Sequence, residues 1–234
     1  MVRFKWDEQN IRWYLDAAAN TGFHKTLAQS VLPYLDQGAT LCDIGCGLGR
    51  LDLEIAPYVS ALTAVDINKN AINILKRDAE ALRLHNLHTC IHDAKTLDGD
   101  FDVLLMSFFG QPNMPDFQKL RCRKIIRIIN TNNNSRFYPE RHKCREKATV
   151  ADVSEELNAN GAVYKLELHA IEFGQPLRSL RDAELFVKSN APEAENSEIC
   201  EFLNENIVRT GREDFPFYLP NMKELGIFVI NAEE

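Results

Sequence analysis

Leu41-Cys42-Asp43-Ile44-Gly45-Cys46-Gly47-Leu48-Gly49-Arg50 is the stretch on which the reading of this chain turns. Residues 39–44 form a short apolar run of the kind a buried strand needs. Gly45, Gly47 and Gly49 then break it at alternate positions. Glycines belong there when the turn is tight and a ligand comes close to the backbone. A helical pattern over 50–58 follows at once, so strand, glycine turn and helix make the opening of a βα unit. A nicotinamide-binding turn spaces its glycines G-x-G-x-x-G. Here the spacing is G-x-G-x-G, with Asp43 two residues ahead of the first glycine.

Outward from the turn the pattern alternates. Strands are predicted over 62–65, 87–91, 101–106, 125–129, 163–173 and 225–230. Helices are predicted over 70–84 and 150–160, the second closed by Gly161. Upstream, 7–20 and 24–35 read as helices, the latter interrupted at Pro33, and Gly38 releases the chain into the first strand. The expected fold is α/β: a doubly wound, mostly parallel seven-stranded sheet with helices on both faces. N-terminal helices and a helical insertion before the last strand complete it. Residues 130–147 are a polar, asparagine-rich, basic loop. Residues 174–221 contain two helical patterns, one beginning near Ser179, where Ser179 and Asp182 form a capping-box-like pair, the other near Ser197. Both patterns fit lid elements or extra packing at a sheet edge.

With these elements the sequence resembles the class I S-adenosylmethionine-dependent methyltransferases, closely over 41–106 and in outline elsewhere. The resemblance implies one methyltransferase-like domain, 1–234. It comprises an N-terminal helical cap (1–37), a cofactor-binding core (38–173), a helical insertion (174–221) and a final strand (222–234). It also implies S-adenosylmethionine as cofactor, with S-adenosylhomocysteine as product. The backbone of Gly45, Cys46 and Gly47 would then line the amino-acid portion, Asp43 would support its ammonium group directly or through water, and Ile44 and Gly49 count as further cofactor-binding positions. Asp66 matches the acid that takes the ribose hydroxyls, Ile67 lies against adenine, and Asp93 and Ala94 match the segment reaching the adenine amino group. Ser107, at the end of the fourth strand, counts as a further cofactor-lining position. The chemistry of the residues agrees, because a carboxylate accepts two hydrogen bonds from a vicinal diol. Taken alone, Asp66 also reads as a turn or N-cap acid, beside Asn68 and Asn70.

Beyond the cofactor the sequence says less. Ser107-Phe108-Phe109-Gly110 stands where amino-methylating enzymes of DNA bases carry an acid or asparagine, two prolines and an aromatic, so a DNA base is not the expected acceptor. Phe108 and Phe109 fit either substrate stacking or core packing. Methyl transfer from a sulfonium is an in-line displacement that positioning and a dry site can accelerate. No catalytic residue is assigned. His142, Tyr138 and His24 are candidate bases for a hydroxyl acceptor, each equally a surface residue, and Trp13-Tyr14 fits a pocket roof or a docked helix.

Composition sets the outer bounds. The chain of 234 residues carries a net charge of −7, which opposes non-specific nucleic-acid binding. Residues 119–147 nevertheless hold ten basic residues (Lys119, Arg121, Arg123, Lys124, Arg127, Arg136, Arg141, Lys143, Arg145, Lys147). With only Glu140 and Glu146 among them the stretch is +8, leaving −15 elsewhere. That fits a solvated basic face, or a field for an anionic partner. Six cysteines without paired spacing read as reduced thiols. Cys122, His142 and Cys144 are the nearest approach to a zinc set, and no metal is expected. Neither a signal stretch nor a membrane span is legible, the opening Met1-Val2-Arg3-Phe4-Lys5 turning polar at once, so the cytoplasm is expected. The expected function is transfer of a methyl group to a small molecule, an anionic one being compatible with the basic stretch, with no DNA and no membrane partner. The alternatives are a non-enzymatic cofactor- or partner-binding module on the same fold, or an RNA or protein acceptor. Acceptor atom and oligomeric state stay open.

Overall fold

The computed structural model describes residues 6–109, 119–132, 137–142 and 148–231. In chain order the elements are α1 (Glu8–Thr21), α2 (Phe23–Val31), β1 (Thr40–Ile44), α3 (Arg50–Ile55), β2 (Ala61–Asp66), α4 (Lys69–Ala81) and β3 (Leu87–Ile91). Next come β4 (Gly99–Ser107), β5 (Leu120–Asn130), α5 (Val150–Ala159), β6 (Tyr164–Glu172), β7 (Gln175–Leu177) and α6 (Leu180–Asn190). The chain closes with α7 (Asn196–Asn206), β8 (Val208–Arg209), β9 (Phe217–Leu219) and β10 (Met222–Asn231). Seven strands form one sheet in the order β3-β2-β1-β4-β5-β10-β6. β1 pairs in parallel with β2 and β4, β2 with β3, and β4 with β5, whereas β10 runs antiparallel to β5. The direction of winding therefore reverses between β1 and β4, as in a doubly wound α/β sheet.

The chain divides into two compact units. The larger contains the described residues of His24–Thr131, Ala148–His169 and Glu224–Glu234. In it, residues 41–44 of β1 are all buried, which requires cover on both faces of the sheet. Cys42 and Ile44 pack with Val65, Leu104 and Met106 in one cluster, and Val153 and Leu157 of α5 pack on Ile129, Phe228 and Ile230 in another. Pro33 falls in a 3-10 turn after α2 ends at Val31, where its missing N–H costs the helix nothing further. β4 and β5 run longer than their apolar cores, because Arg121 pairs with Asp100 and Arg123 with Asp102 across the two strands. Opposite-charge cross-strand pairs hold a ladder that hydrophobic patterning does not mark.

The smaller unit contains the described residues of Met1–Phe23, Asn132–Lys147 and Ala170–Lys223. α6 begins where expected, with the Asp182 N–H donating to Ser179 Oγ. α7 begins at Asn196, one residue from the expected start near Ser197, with Glu195 and Glu198 forming a reciprocal cap. Before and after these helices run the strands of a three-stranded sheet, β7-β9-β8, that the helical reading of 174–221 did not contain. Its strands have two or three residues each, too few to show alternation. Trp13 is buried in the core of this unit against Phe186, and its indole Nε1–H donates to Asp182 at 3.0 Å. Trp13 thus docks α1, which favours the docked-helix reading of Trp13-Tyr14.

Asp182 is the polar centre of that core. It also accepts from the Arg12 guanidinium and the Arg178 backbone N–H. Burial pushes its carboxyl up, but the bonds from Arg12, Arg178 and Trp13 outweigh burial and hold it below the usual carboxylate range. A depressed carboxylate stabilises the fold above its unfolded value and loses that contribution as pH falls. Asp182→Ala should cost about 3 kcal/mol in urea denaturation at neutral pH, by removing the acceptor that Arg12, Trp13 Nε1 and the Arg178 N–H share. The difference from the unaltered chain should shrink on acidification below about pH 4. A cost under about 0.5 kcal/mol would show the network to be ornamental.

Candidate functional site

The glycine turn leaves β1 at the switch point of the sheet. Gly45, Gly47 and Gly49 have φ of 78°, 55° and 61°, the left-handed region that L side chains rarely adopt. A Cβ at Gly45 would lie 2.1 Å from the Phe109 ring, and one at Gly49 would lie 2.4 Å from the Leu75 side chain. Conformation and space therefore both demand glycine at these two positions. Phe109 follows Phe108, a non-glycine residue at φ 54°, strained by about 1 kcal/mol. That strained corner after Ser107 carries the Phe109 ring onto the turn.

The backbone N–H groups of the turn are already taken. Gly45 and Cys46 both donate to the Val65 carbonyl, at 2.8 and 3.1 Å. Gly47 donates to Asp66 Oδ2 at 2.9 Å, and Gly49 to the Cys46 carbonyl at 2.9 Å. Asp66, the last residue of β2, uses its other oxygen to accept the Asn68 N–H at 2.8 Å. A phosphate-binding turn keeps such donors free for its anion; here β2 consumes them.

Negative charge surrounds the turn instead. Asp43 and Asp52 are 2% and 0% exposed. Burial pushes the Asp43 carboxyl well up, reinforced by the charge of Asp52, a hydrogen bond with it and the charge of Asp66. Burial likewise pushes Asp52 up to about 7, held back by its bond with Asp43 and by the Arg50 guanidinium. Asp52 is a site residue that sequence reasoning missed. Its signal was present, because it occupies the buried stripe of α3 with Leu51 and Ile55, where an acid needs a reason.

The remaining expected positions are distributed along the same strand ends. Ile44 is fully buried in the sheet core, so only its backbone is available to a ligand. Ile67 is 41% exposed just past β2. Asp93 is exposed after β3, where its side chain caps its own turn through the Lys95 N–H, and Ala94 is buried beneath it. Ser107 ends β4, half-buried. A direct bond thus joins Gly47 to Asp66, Asp43 and Asp52 act on each other through charge, and the Asp93 side chain is spent on its own turn.

The candidate bases fare differently. His24 is buried within α2. Tyr138 packs on the core of the smaller unit, and His142 Nε2 lies 3.1 Å from Glu198, which also pairs with Arg141. Cys122 packs into the sheet core, and Cys144 of the tentative zinc set lies outside the described residues, as do Gly110 and the N-terminal 1–5. Among the described residues no group of three His, Cys, Asp or Glu could hold a metal ion. No described helix is long and apolar enough to cross a membrane.

Comparison with known proteins fits this geometry. A family model described as a methyltransferase domain matches residues 35–193. The chain belongs to that family. A probable cobalt-precorrin-6B C(15)-methyltransferase (decarboxylating) of Methanococcus maripaludis is 27% identical over 88 residues, 37% of this chain and 49% of that protein. The ribosomal protein L11 methyltransferase of Lachnoclostridium phytofermentans is 36% identical over 84 residues, 34% of this chain and 25% of that one. The chain therefore spans half or less of the length of these relatives. Magnesium protoporphyrin IX methyltransferase from Synechocystis PCC 6803, solved with bound SAH, shares the fold at a TM-score of 0.52 and 12% identity, over 99% of this chain and 90% of that one.

The packing at Gly49 yields a direct check. Gly49→Ala combines left-handed strain with a collision on Leu75, together about 2–4 kcal/mol. Chemical denaturation should register that loss; a change below about 0.5 kcal/mol would mean that the turn relaxes freely.

Proposed function

We propose that this methyltransferase-family chain binds S-adenosylmethionine at the turn after β1 and transfers its methyl group to a small molecule. The observation that carries the reading is the consumption of the Gly45, Cys46 and Gly47 N–H groups by β2. With those donors spent and carboxyls at Asp43, Asp52 and Asp66 alongside, the site favours a cationic ligand over a pyrophosphate. The buried Asp43 Oδ1 has no hydrogen-bond partner among the described residues, which suits an ammonium group.

In this reading the backbone of Gly45, Cys46 and Gly47 lines the methionine portion and Asp43 balances its ammonium. Asp66 takes the ribose hydroxyls on the lone pairs left over from Gly47 and Asn68. Ile67, Asp93 and Ala94 border the adenine, and Ser107 and Phe109 border the reacting end. When bound, the cofactor supplies a methyl group activated by the sulfonium. The chain's share is orientation and exclusion of water, for which the Phe109 ring on Gly45 is suited.

A small-molecule acceptor is supported by relatives named for cobalt-precorrin-6B and magnesium protoporphyrin IX, against one named for a ribosomal protein. Charge offers little for an anionic acceptor or RNA. Of the described basic residues in 119–147, Arg121, Arg123, Lys124, Arg127 and Arg141 each pair with an acid. Arg136, Lys143, Arg145 and Lys147 lie outside the described residues. A cytoplasmic location is supported by the free thiols of Cys42, Cys46, Cys90, Cys122 and Cys200.

Calorimetric titration with S-adenosylmethionine should show binding that Asp66→Ala weakens by about 10- to 100-fold, the worth of hydrogen bonds to a charged acceptor. Absence of heat from a protein still folded by circular dichroism would refute the cofactor assignment. Labelled-methyl transfer to a panel of small molecules then separates enzyme from binding module: binding without turnover on any small molecule, protein or RNA supports the latter.

A further inference from the structure

Asp52 is a buried carboxyl for which methyl transfer itself has no use. It sits in the middle of α3, on the stripe that Leu51 and Ile55 bury, and is 0% exposed. Asp43, at 2%, faces it from β1. With both groups ionised, Asp43 Oδ1 and both Asp52 oxygens have no donor among the described residues. Two bare carboxylates in such an interior repel each other and forfeit their solvation. A single proton held between them, Asp43 donating to Asp52, removes both problems, and the charge of Asp52 adds to burial in keeping the Asp43 carboxyl protonated.

The surroundings leave the pair to its own resources. Asp66 of β2 adds further negative charge, and Cys42 of β1 and Cys46 of the turn are thiols that burial keeps protonated. Cys90 of β3 is a further thiol, beside Cys42. The cation that reaches Asp52 is Arg50, and it is itself held by Asp78 of α4. No imidazole enters the electrostatics of either carboxyl.

We propose that Asp43 and Asp52 are a proton-sharing pair that forms the counter-charge for the cofactor's cationic end, releasing its proton to solvent when the α-ammonium group binds at the glycine turn. This rests on the reading that S-adenosylmethionine occupies that turn. Before binding, the pair carries one proton and one negative charge. After binding, it carries two negative charges against the incoming positive one, and the proton has passed to buffer. No covalent bond between heavier atoms is made or broken. Asp52 is thus a positioning residue: it acts through Asp43, storing the proton that keeps the empty site from holding two buried anions. Burial holds the Asp43 carboxyl well above the usual carboxylate range, so the pair keeps its proton until a cation arrives.

The probe is S-adenosylhomocysteine, titrated into the full chain by calorimetry between about pH 6 and pH 7.5. An α-amino group stays mostly protonated there, so protons released come from the protein. Each pH is run in two buffers of different ionisation enthalpy. The unaltered chain should release close to one proton per ligand at the neutral end, and its affinity should rise there by about tenfold per pH unit. Asp52→Asn, whose amide can donate to an ionised Asp43, should abolish the proton release and flatten the pH profile while still binding. A merely structural role for Asp52 would leave the proton count unchanged.

Buffer-independent heats and a flat profile in the unaltered chain overturn the proposal and leave the cofactor assignment standing. No binding by the folded chain ends both. A ligand-free measurement guards against misfolding of the variant. Both carboxyls are raised in the folded state, so their stabilising contribution belongs to low pH and is lost as pH rises through the folded values. The melting temperature of the unliganded, unaltered chain should therefore fall from about pH 5 to about pH 8. Carbon-13 titration of its aspartate carboxyls should find one proton still held near neutrality, and ordinary acidic titration of every aspartate would dispose of the pair.

Discussion

Three consecutive N–H groups of the turn, those of Gly45, Cys46 and Gly47, end on β2: two on the Val65 carbonyl and one on the Asp66 carboxylate. The rest of the site depends on this stitch. It holds the left-handed glycines in place, starts α3 at Gly49, and brings α3 round so that Asp52 meets Asp43. It also removes the donors that would otherwise make the turn an anion cradle. The same three glycines on a turn with free N–H groups would invite a phosphate. Bound to β2 and ringed by carboxyls, they invite a cation.

Much of this was legible in the sequence, and the gaps have physical causes. The seven strands of the main sheet follow from apolar runs that burial on both faces makes continuous, as in 41–44. The extensions of β4 and β5 did not follow, because Asp100, Asp102, Arg121 and Arg123 stabilise the ladder by charge. The β7-β9-β8 sheet was hidden by strands shorter than one full alternation. α7 starts within a residue of the expected Ser197, and its cap comes from the pair Glu195 and Glu198.

At the site, backbone roles were readable and pairwise ones were not. The glycine spacing and the acids at strand ends could be placed from the alternation alone. That Asp66 spends both oxygens on backbone, or that Asp43 has a carboxyl neighbour, depends on how β2 and α3 fold back on β1. The +8 count of 119–147 misled in the opposite direction. Summed along the chain it suggested a field, yet in space Asp100, Asp102, Asp36, Glu156 and Glu198 cancel much of what is described of it. Charge acts through distance, and a linear count contains none.

The double duty of Asp66 has a consequence for how such a protein can diverge. One carboxylate fastens the turn and is the group proposed to hold the ribose, so on that proposal a change there disturbs architecture and ligand together. Selection for a new methyl acceptor therefore cannot work through the donor end without risking the fold. Mutational freedom is left to positions such as Ser107, which ends β4 without fastening the turn. The donor is frozen by construction, and novelty is channelled toward the acceptor.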